Sequence, residues 1–370
     1  MQLRLLNLQN GAKSDGKLSL LVGLSGNRQL TIDFRGRTAT LGTDKAIPWS
    51  ELGFVCLPTY ASDRFELRIK LDKLGVKPGD TISLNFTGSD QLDKAATVVL
   101  RKGEDQRREI SFAKTGDFRL ANLNTLRGGL SDPIRYGAIK RLLAAANADV
   151  YCFQEEWDER KFRKSAPTAV PSSGKVNLHW IGGCGIATTL PLKPIPMKLD
   201  RAAAAAISLP GEKQLVVFSV HFKCCGYTGS KEDKTRIHQA QQVVAGIRKM
   251  RTGKYGEELK RAGIVVIGDY NLVGSRQPLD IIKTAGMKDW ILPGADGAAY
   301  TWRGITKKES FWPGRLDVVA YDREALKPSQ GFVLDTLRLS RKTSRFMGLL
   351  AEDSLASDHL MLIADFQFVR

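Results

Sequence analysis

Short apolar runs that end on polar residues recur along the last two thirds of the chain. The run 264–267 contains only isoleucine and valine, and Gly268-Asp269-Tyr270-Asn271 follows it directly. A short β-branched run without polar residues predicts a buried strand. The acid and the amide therefore lie where this strand ends and a loop begins. A strand that ends in Gly-Asp is common, so this motif alone indicates no more than a turn.

Four further segments show the same arrangement of an apolar run and a polar end. Their polar residues are Asn124 at the end of 118–124, Gln154-Glu155-Glu156 at the end of 149–156, His221 at the end of 215–221, and Asp317 within 315–321 together with Ser357-Asp358-His359. Each residue alone has an ordinary structural explanation, such as a turn cap, a surface position or a core histidine. Together they predict strands whose polar ends meet at one edge of a sheet and form a site.

A helix is predicted between the first two of these segments. Pro133 follows Ser131-Asp132 and occupies a favourable first helical position. An apolar face with helical spacing follows it, made of Ile139, Leu142, Leu143 and Ala146.

The first third of the chain has a different pattern. Strand-like alternation occurs at 18–24, 30–34 and 65–69, and a turn at 75–80 precedes another strand. Short strands separated by turn residues predict a β-sandwich. The segment 66–80 loosely resembles sugar-binding β-sandwich modules.

The change of pattern predicts two domains, a β-rich module over 1–114 and a second domain over 115–370. A chain of 370 residues is long for one domain and long enough for two. The polar segment 101–108 is predicted to be a hairpin or linker between them.

The order of the polar ends, Asn, Gln-Glu, His, Gly-Asp-x-Asn, Arg-Leu-Asp and Ser-Asp-His, resembles the endonuclease/exonuclease/phosphatase superfamily. This superfamily includes DNase I-like and exonuclease III-like enzymes, and the resemblance covers residues 116–370. It implies a four-layer α-β-β-α sandwich, here preceded by the smaller β-sandwich-like domain. It also implies an enzyme, a hydrolase of phosphate esters that uses a divalent metal ion, usually Mg²⁺, with Mn²⁺ as a second possibility.

By this resemblance, Glu155 is the principal metal ligand and Asn124 is its neighbour, while Asp358 helps to bind metal or to position water. Mg²⁺ is a hard cation that takes oxygen ligands, so a carboxylate and an amide suit it. Glu156 is the weaker candidate, because neighbouring residues of a strand point to opposite faces.

The same resemblance implies five catalytic residues. Asp269 orients or deprotonates the attacking water, and Asn271 holds a phosphate oxygen. His359 lies close to the phosphate and is paired with Asp317, which fixes its tautomer and stabilises its charged form. His221 stabilises charge on the phosphoryl group. Whether Asp269 or His359 is the general base stays open at this stage.

The net charge of +17 indicates which kind of partner the protein binds, because so basic a chain favours polyanions. Nucleic acid is the first substrate that we predict, and a phospholipid or inositol phosphate head group is the second. Basic clusters lie at 160–164 and 338–345, and the second contains no acid. Its Arg341 and Lys342 are candidate substrate-binding residues.

Aromatic residues give a weaker indication of substrate. Trp302 and Trp312 could stack on a base, but packing in the core is the favoured explanation for each. The motifs predict the cleavage of a phosphate ester, whereas specificity depends on loops that they do not describe.

Two other classes of function stay open. One is a binding protein built on a catalytic scaffold, which the intact set of acids and histidines argues against. The other is a sugar- or surface-binding protein led by the first domain. The sequence predicts no oligomeric state.

The cysteine content is odd, with five residues, so a complete disulfide framework is not predicted. Cys56 and Cys152 lie in apolar runs and are expected to be buried. The adjacent Cys224 and Cys225 follow His221 closely. They could bind a soft metal, form a vicinal disulfide, pair with Cys184 in one case, or stay as two free thiols.

No apolar run approaches the length of a membrane-spanning helix, so no integral membrane segment is predicted. The first residues lack the long apolar segment of a signal peptide. We therefore expect a soluble protein of unknown compartment; an extracellular location would require a signal upstream of this sequence.

Overall fold

The computed structural model describes residues 2–5, 19–33, 38–43, 46–47, 52, 55–57, 65–88, 92–102, 109–303 and 313–369. The chain divides into two compact units. The first comprises Met1–Gln106 and Trp302–Arg315, and the second comprises Arg107–Thr301 and Leu316–Arg370. Residues 109–114 therefore belong to the second unit, which carries all the predicted catalytic and metal-binding residues.

The second unit contains two six-stranded sheets. The first sheet has the order β11-β12-β10-β9-β20-β19. Its strands are β9 (Phe118–Asn124), β10 (Val150–Gln154), β11 (Asn177–Ile181), β12 (Cys184–Thr188), β19 (Leu326–Leu334) and β20 (Met361–Phe368). The second sheet has the order β13-β14-β15-β16-β18-β17. Its strands are β13 (Leu192–Pro194), β14 (Ala202–Leu209), β15 (Lys213–His221), β16 (Gly263–Asp269), β17 (Met287–Trp290) and β18 (Asp317–Asp322).

Each sheet contains one parallel pair, β9 with β10 and β15 with β16, and its other pairs are antiparallel. Parallel neighbours end at the same edge, so the register sets Gln154 beside Asn124 and His221 beside Asp269. The antiparallel strand β18 begins at that edge, and Asp317 lies opposite Asp269. The predicted meeting of polar strand ends follows from this register.

The two sheets face each other, and helices cover their outer faces. Between the sheets, Gln154 Nε2 donates to Ser219 Oγ at 3.0 Å. The helices are α2 (Tyr136–Ala146), α3 (Glu159–Ala169), α4 (Lys231–Arg251), α5 (Gln277–Lys283) and α6 (Arg341–Phe346), after a short α1 (Leu71–Leu74) in the first unit. Helices α2 and α3 share an apolar core with the first sheet, while α4 packs on α5 and α5 on β17. The predicted four-layer α-β-β-α sandwich is confirmed.

Helix α2 shows the predicted apolar face, since Ile139, Leu142, Leu143 and Ala146 are all buried. It begins at Tyr136, three residues after the predicted start at Pro133. The reason is local, because Asp132 Oδ1 accepts the backbone N–H groups of residues 134 and 135 in a turn. The predicted start was therefore wrong.

A buried ion pair joins the neighbouring strands β9 and β20 of the first sheet. Arg119 donates through Nε and Nη2 to the two oxygens of Asp365, at 2.6 and 2.8 Å. The guanidinium also donates to the carbonyls of Phe112 and Ala146. The arginine therefore holds the strand pair, the end of α2 and the entering chain together.

The first unit contains two antiparallel sheets. Their orders are β1-β6-β5 and β4-β3-β2-β7-β8. The strands are β1 (Gln2–Leu5), β2 (Ser19–Leu24), β3 (Arg28–Asp33), β4 (Thr38–Leu41), β5 (Val55–Leu57), β6 (Phe65–Arg68), β7 (Thr81–Thr87) and β8 (Ala96–Val99). The five-stranded sheet buries alternate residues, such as Leu20, Val22 and Ile32, in one core.

The β-rich character of the first unit agrees with the alternation in the sequence. The side chains of β1, β5 and β6 lie outside the described residues, so the sandwich arrangement stays a prediction, as does its resemblance to sugar-binding modules. Most of the predicted linker, 103–108, also lies outside them. Among the described residues, no helix combines the length and apolar character needed to cross a membrane.

Candidate active site

Gly268 determines how β16 delivers Asp269 to the site. Its φ is +143°, and a Cβ there would overlap the backbone of Val220 on the neighbouring strand β15. Only glycine tolerates both the conformation and this close approach. The Gly-Asp motif therefore places a buried carboxylate at a strand end where two backbones lie very close together.

Asp269 is the centre of the polar network. Its Oδ1 accepts the backbone N–H of Asn271 at 2.9 Å. Its Oδ2 accepts the side-chain amide of Asn271 at 2.9 Å and that of Asn124 at 3.1 Å. Burial raises the pKa of Asp269 to about 8, although His359 lowers it, and the carboxylates of Asp317 and Glu155 raise it further.

Glu155 completes the carboxylate side of the site. It follows β10 directly and has a φ of +63°, which turns its side chain out of the strand. Its Oε1 lies 3.3 Å from Asn124 Nδ2, and its Oε2 accepts the backbone N–H of Arg127 at 2.9 Å. Glu155 and Asn124 therefore lie side by side, as their predicted roles require.

Glu156 points elsewhere. It is buried, and its Oε1 accepts the hydroxyl of Thr125 at 2.6 Å and the backbone N–H of Leu130 at 3.0 Å. Burial raises the pKa of Glu156, while these hydrogen bonds lower it. The residue holds the loop after β9, in agreement with its weaker candidacy as a ligand.

Asp317 and His359 are in direct contact. His359 Nδ1 donates to Asp317 Oδ2 at 2.8 Å, and its Nε2 lies 3.6 Å from Asp269 Oδ2. Burial alone would lower the pKa of His359, but the charges of Asp317 and Asp269 raise it well above its ordinary value. The imidazole is therefore held as a cation between two acids.

His221 has the opposite protonation behaviour. Burial lowers its pKa to about 3, and the nearby positive charges of Arg201 and His359 lower it too. Its Nε2 lies 3.6 Å from Asp269 Oδ2 and 3.8 Å from Glu155 Oε1. His221 is thus a neutral imidazole that faces both carboxylates.

Three predicted site residues have other surroundings. Asp358 is half-buried beside His359 and raises the pKa of that histidine. Arg341 and Lys342 lie exposed in the first turn of α6, and no described contact links them to the acids. Arg338 of the same basic cluster lies 3.5 Å from Asp296, so its charge is engaged within the protein.

The donor set fits a hard divalent cation. Asp317 Oδ1 is buried and has no hydrogen-bond partner among the described residues. Asp269, Asp317 and His359 offer ligand atoms within 4.8 Å of one another. Because His359 is held as a cation, its nitrogens are poor ligands, and the oxygens of Glu155 and Asn124 suit the ion better. In this structure Asn124 turns its amide nitrogen toward Glu155 and Asp269, while its Oδ1 accepts the backbone N–H of Leu126 at 3.1 Å.

The motifs did not reveal an exposed aromatic residue at the rim of the site. Trp157 is 43% exposed, and its ring centroid lies 5.4 Å from that of His221. The guanidinium of Arg201 lies 4.9 Å from the centre of the Trp157 ring. A side chain at Gly183 would collide with this ring, so the glycine makes room for it.

The position of Trp157, two residues after Glu155, could have identified it in the sequence. Its contact with Arg201 could not be predicted, because Arg201 directly precedes β14 of the second sheet and only the fold brings the two residues together. Of the tryptophans considered in the sequence, Trp302 is buried, as the core explanation expects. Trp312 lies outside the described residues.

The cysteines of the second unit are free thiols. Cys152 and Cys184 are buried, and Cys184 donates to the carbonyl of Arg201 at 3.1 Å. Cys224 and Cys225 have their sulfurs 2.9 Å apart in the loop after His221. Cys184 therefore pairs with neither of them here. Cys56 lies in β5, and its side chain is outside the described residues.

No protein-family model matches the sequence, and no curated protein matches it. Among solved structures, the chain is similar to the catalytic domain of human Nocturnin, with 18% identity over 70% of this chain and 97% of that one and a TM-score of 0.45. It is also similar to D. rerio TDP2 in complex with a single-stranded DNA product, with 18% identity, 67% and 98% coverage and a TM-score of 0.43. A third similar structure is an endonuclease/exonuclease/phosphatase from Beutenbergia cavernae, with 17% identity, 69% and 72% coverage and a TM-score of 0.43.

Proposed function

We propose that this protein is a divalent-metal-dependent hydrolase of phosphate esters, a member of the endonuclease/exonuclease/phosphatase superfamily that cleaves nucleic acid. One observation carries the proposal. The residues Asn124, Glu155, His221, Asp269 and His359, which lie far apart in the sequence, form one network across the same edge of both sheets. Acids and histidines that gather at one place with few evident structural roles are typical of a catalytic site.

Glu155 and Asn124 would hold the metal ion, and Mg²⁺ or Mn²⁺ fits their oxygens, while Asp358 would act from its position beside His359. When bound, the ion supplies Lewis acidity that polarises a phosphoryl oxygen. The backbone N–H of Arg127 fixes Glu155 Oε2, which leaves Oε1 directed at the site.

The two histidines and Asp269 divide the proton and charge chemistry. Burial raises the pKa of Asp269, which makes its carboxylate form a stronger base toward water. His359, held charged by Asp317, can donate to a phosphoryl oxygen and stabilise its negative charge. We therefore assign the base to Asp269, the alternative that the sequence left open. His221 is neutral and contributes a hydrogen-bond donor.

Asn271, which the sequence predicts to hold a phosphate oxygen, makes two side-chain hydrogen bonds within the protein. Its amide donates to Asp269 Oδ2 at 2.9 Å and to the carbonyl of Phe222 at 3.1 Å. With both of these bonds made inside the protein, Asn271 orients the base.

The net charge of the chain and the residues at the rim of the site favour nucleic acid as the substrate. The net charge of +17 attracts polyanions. Trp157 is 43% exposed beside His221, with Arg201 over its ring. Aromatic rings and arginines beside a phosphate site are the usual means of binding single-stranded bases.

A lipid or inositol phosphate substrate is the second candidate. It is favoured by Phe346, which is 87% exposed in the same short helix as Arg341 and Lys342. Basic residues interleaved with exposed apolar ones suit an anionic membrane surface.

The test is a substrate panel with Mg²⁺ or Mn²⁺, comparing plasmid DNA, single-stranded DNA, RNA, inositol phosphates and vesicles that contain sphingomyelin. The matched control is Asp269→Asn, which keeps the shape of the side chain and removes its basicity. Cleavage of soluble nucleic acid by the wild type alone supports the proposal. Release of phosphate or phosphocholine from vesicles, with every nucleic acid intact, would move the second candidate into first place. Inactivity on the whole panel would count against a hydrolase.

A further inference from the structure

The loop that follows His221 carries two adjacent thiols that the proposed chemistry does not use. The sulfurs of Cys224 and Cys225 lie 2.9 Å apart, Cys224 is half-buried and Cys225 is exposed. Cys225 has a φ of +71°, in the left-handed region that β-carbon-bearing residues seldom adopt. The chain thus holds two accessible sulfurs together at the expense of an unfavourable backbone conformation.

A buried arginine positions this dithiol. Arg236 of α4 is fully buried, and its Nη1 donates to the carbonyls of Lys223 and Cys225, both at 2.7 Å. These two carbonyls flank Cys224. The backbone N–H of Lys223 is also bound, to Gln239 Oε1 at 2.8 Å. The arrangement of the thiols is therefore built into the fold, and their closeness is a property of an anchored loop.

The same loop is bonded directly to the base of the proposed reaction. The backbone N–H of Phe222 donates to the carbonyl of Asp269 at 2.9 Å. Its carbonyl accepts the Asn271 amide that also binds Asp269 Oδ2. A change in the backbone at 224–225 would thus act two residues away on the groups that orient Asp269.

We propose that Cys224 and Cys225 are a redox modification site, which a peroxide converts to a reversible vicinal disulfide that disturbs the site through Phe222. The regulatory part of this proposal rests on the proposed function, and the chemical part does not.

The reaction balances with a peroxide as the oxidant. The Cys224 thiolate attacks one oxygen of hydrogen peroxide, the O–O bond breaks, and the departing hydroxide takes up a proton to give water and a Cys224 sulfenic acid. Cys225 then loses its proton and attacks the Cys224 sulfur. The S–O bond breaks and a second water leaves. Two electrons pass from the sulfurs to the peroxide.

Cys224 is the better nucleophile of the two. The thiol of Cys225 donates a hydrogen bond to it, and Lys223 and Arg201 lie near, so the pKa of Cys224 is lowered to about 6 although burial opposes this. The pKa of Cys225 is raised because its thiol donates a hydrogen bond to Cys224, and partial burial raises it further. Thiolate character and exposure favour oxidation.

The resulting bond would be labile. Consecutive Cα atoms are about 3.8 Å apart, closer than the usual span of a disulfide. Strained, exposed disulfides are readily reduced and are typical of regulatory pairs. Closing the ring must also distort the peptide group between Cys224 and Cys225, which lies between the two carbonyls that Arg236 holds.

Peptide mass spectrometry on the full-length protein tests the chemical part without any activity measurement. After treatment with hydrogen peroxide, free thiols are alkylated and the protein is digested with trypsin, which yields the peptide 224–231 with both cysteines. We expect this peptide to lose two hydrogen atoms and carry no alkyl group, and to carry two after dithiothreitol. The Cys225→Ser variant cannot close the ring. Two alkylated thiols after peroxide, or a disulfide to Cys184 or to a second molecule, would overturn the proposal.

Two readouts test the coupling to the site. Amide hydrogen exchange at Phe222 and Lys223 should speed up on oxidation of the wild type and stay unchanged in the Cys224→Ser/Cys225→Ser variant. Turnover should fall by up to about a hundred-fold on oxidation, the scale of a small misplacement of catalytic groups, and return with dithiothreitol. The double variant should keep its turnover in peroxide. Ring closure with unchanged exchange and turnover would refute the regulatory part, even if the protein proves to have another substrate.

Discussion

The contact between Asp317 and His359 sets the charge at the centre of the candidate site. We expect Asp317→Asn to lower the pKa of His359 by about 1–3 units, because burial then acts on the imidazole without its nearest opposing charge. Proton NMR titration of the imidazole signals measures this, and His179 and His238 serve as internal controls. Because folding raises the pKa of His359, its protonation stabilises the folded state fully below the ordinary histidine pKa. This stabilisation is lost as the pH rises through the raised pKa, so the Asp317→Asn variant should lose it at neutral pH. An unchanged His359 titration would contradict the pairing.

The same pair gives a kinetic expectation. Asp317→Ala and His359→Ala should each reduce turnover strongly, and the double variant should lose little more, because residues that act as a unit are not additive. Steady-state kinetics on one substrate gives the coupling. The Asp317→Ala/Arg338→Ala pair, in which the residues have separate tasks, provides the comparison. Strictly additive losses from Asp317 and His359 would show that they act independently.

Trp157 tests the nucleic-acid proposal at the rim. Trp157→Ala should weaken the binding of a single-stranded oligonucleotide by about 1–3 kcal/mol, the usual value of one stacked base, and Trp157→Phe should keep part of it. Fluorescence anisotropy with the Asp269→Asn background prevents cleavage during the measurement. A strand of equal length without bases is the matched control, and the Trp157→Ala variant should bind it as the parent does. An equal loss on both strands would mean that Trp157 only supports His221 and Arg201.

At the scale of elements, the sequence predicted the strands more accurately than the start of helix α2. The apolar runs correspond to β9, β10, β15, β16 and β18, because uninterrupted apolar residues have few alternatives to a buried strand. The polar ends met as expected, since parallel strands end at one edge. The start of α2 was missed because Asp132 makes a turn before the helix begins.

Other features of the site could not be predicted from local pattern. The assignment of the base depends on burial and on the distances of Asp269 from His359 and Glu155, which arise from the packing of two sheets. The partnership of Trp157 with Arg201 and the anchoring of the dithiol by Arg236 join segments from different elements. The bonds of Asn271 likewise depend on the position of the Phe222 carbonyl.

The buried pair of Arg119 and Asp365 makes an expectation for the stability of the first sheet. Asp365→Asn leaves a buried guanidinium without its opposing charge, so we expect a loss of about 3–5 kcal/mol in the free energy of unfolding. Urea denaturation followed by circular dichroism measures it. Glu159→Gln breaks the exposed pair with Arg163 on α3 and should cost at most about 0.5 kcal/mol. Equal losses from the two variants would contradict the structural role given to Arg119.

At the scale of the whole molecule, the positive charge makes an expectation for salt dependence. The affinity for nucleic acid should fall steeply with salt, because each phosphate contact releases a counterion. Reversing Arg341 and Lys342 to glutamate should reduce the slope of log K against log salt by about two if both contact phosphate. Reversing Arg160 and Lys161 on α3 changes the net charge equally and is the control for position. The same change of slope in both variants would show that α6 is no special contact.

The dependence of hydrolysis on a divalent ion tests the central claim most directly. Turnover should vanish in excess chelator and return with Mg²⁺ or Mn²⁺. In Glu155→Gln, which keeps the size of the side chain and removes its charge, turnover should fall by orders of magnitude at saturating metal while circular dichroism shows an intact fold. The exposed Glu324→Gln variant should behave as the wild type. Undiminished hydrolysis in excess chelator, or a fully active Glu155→Gln variant, would contradict the account.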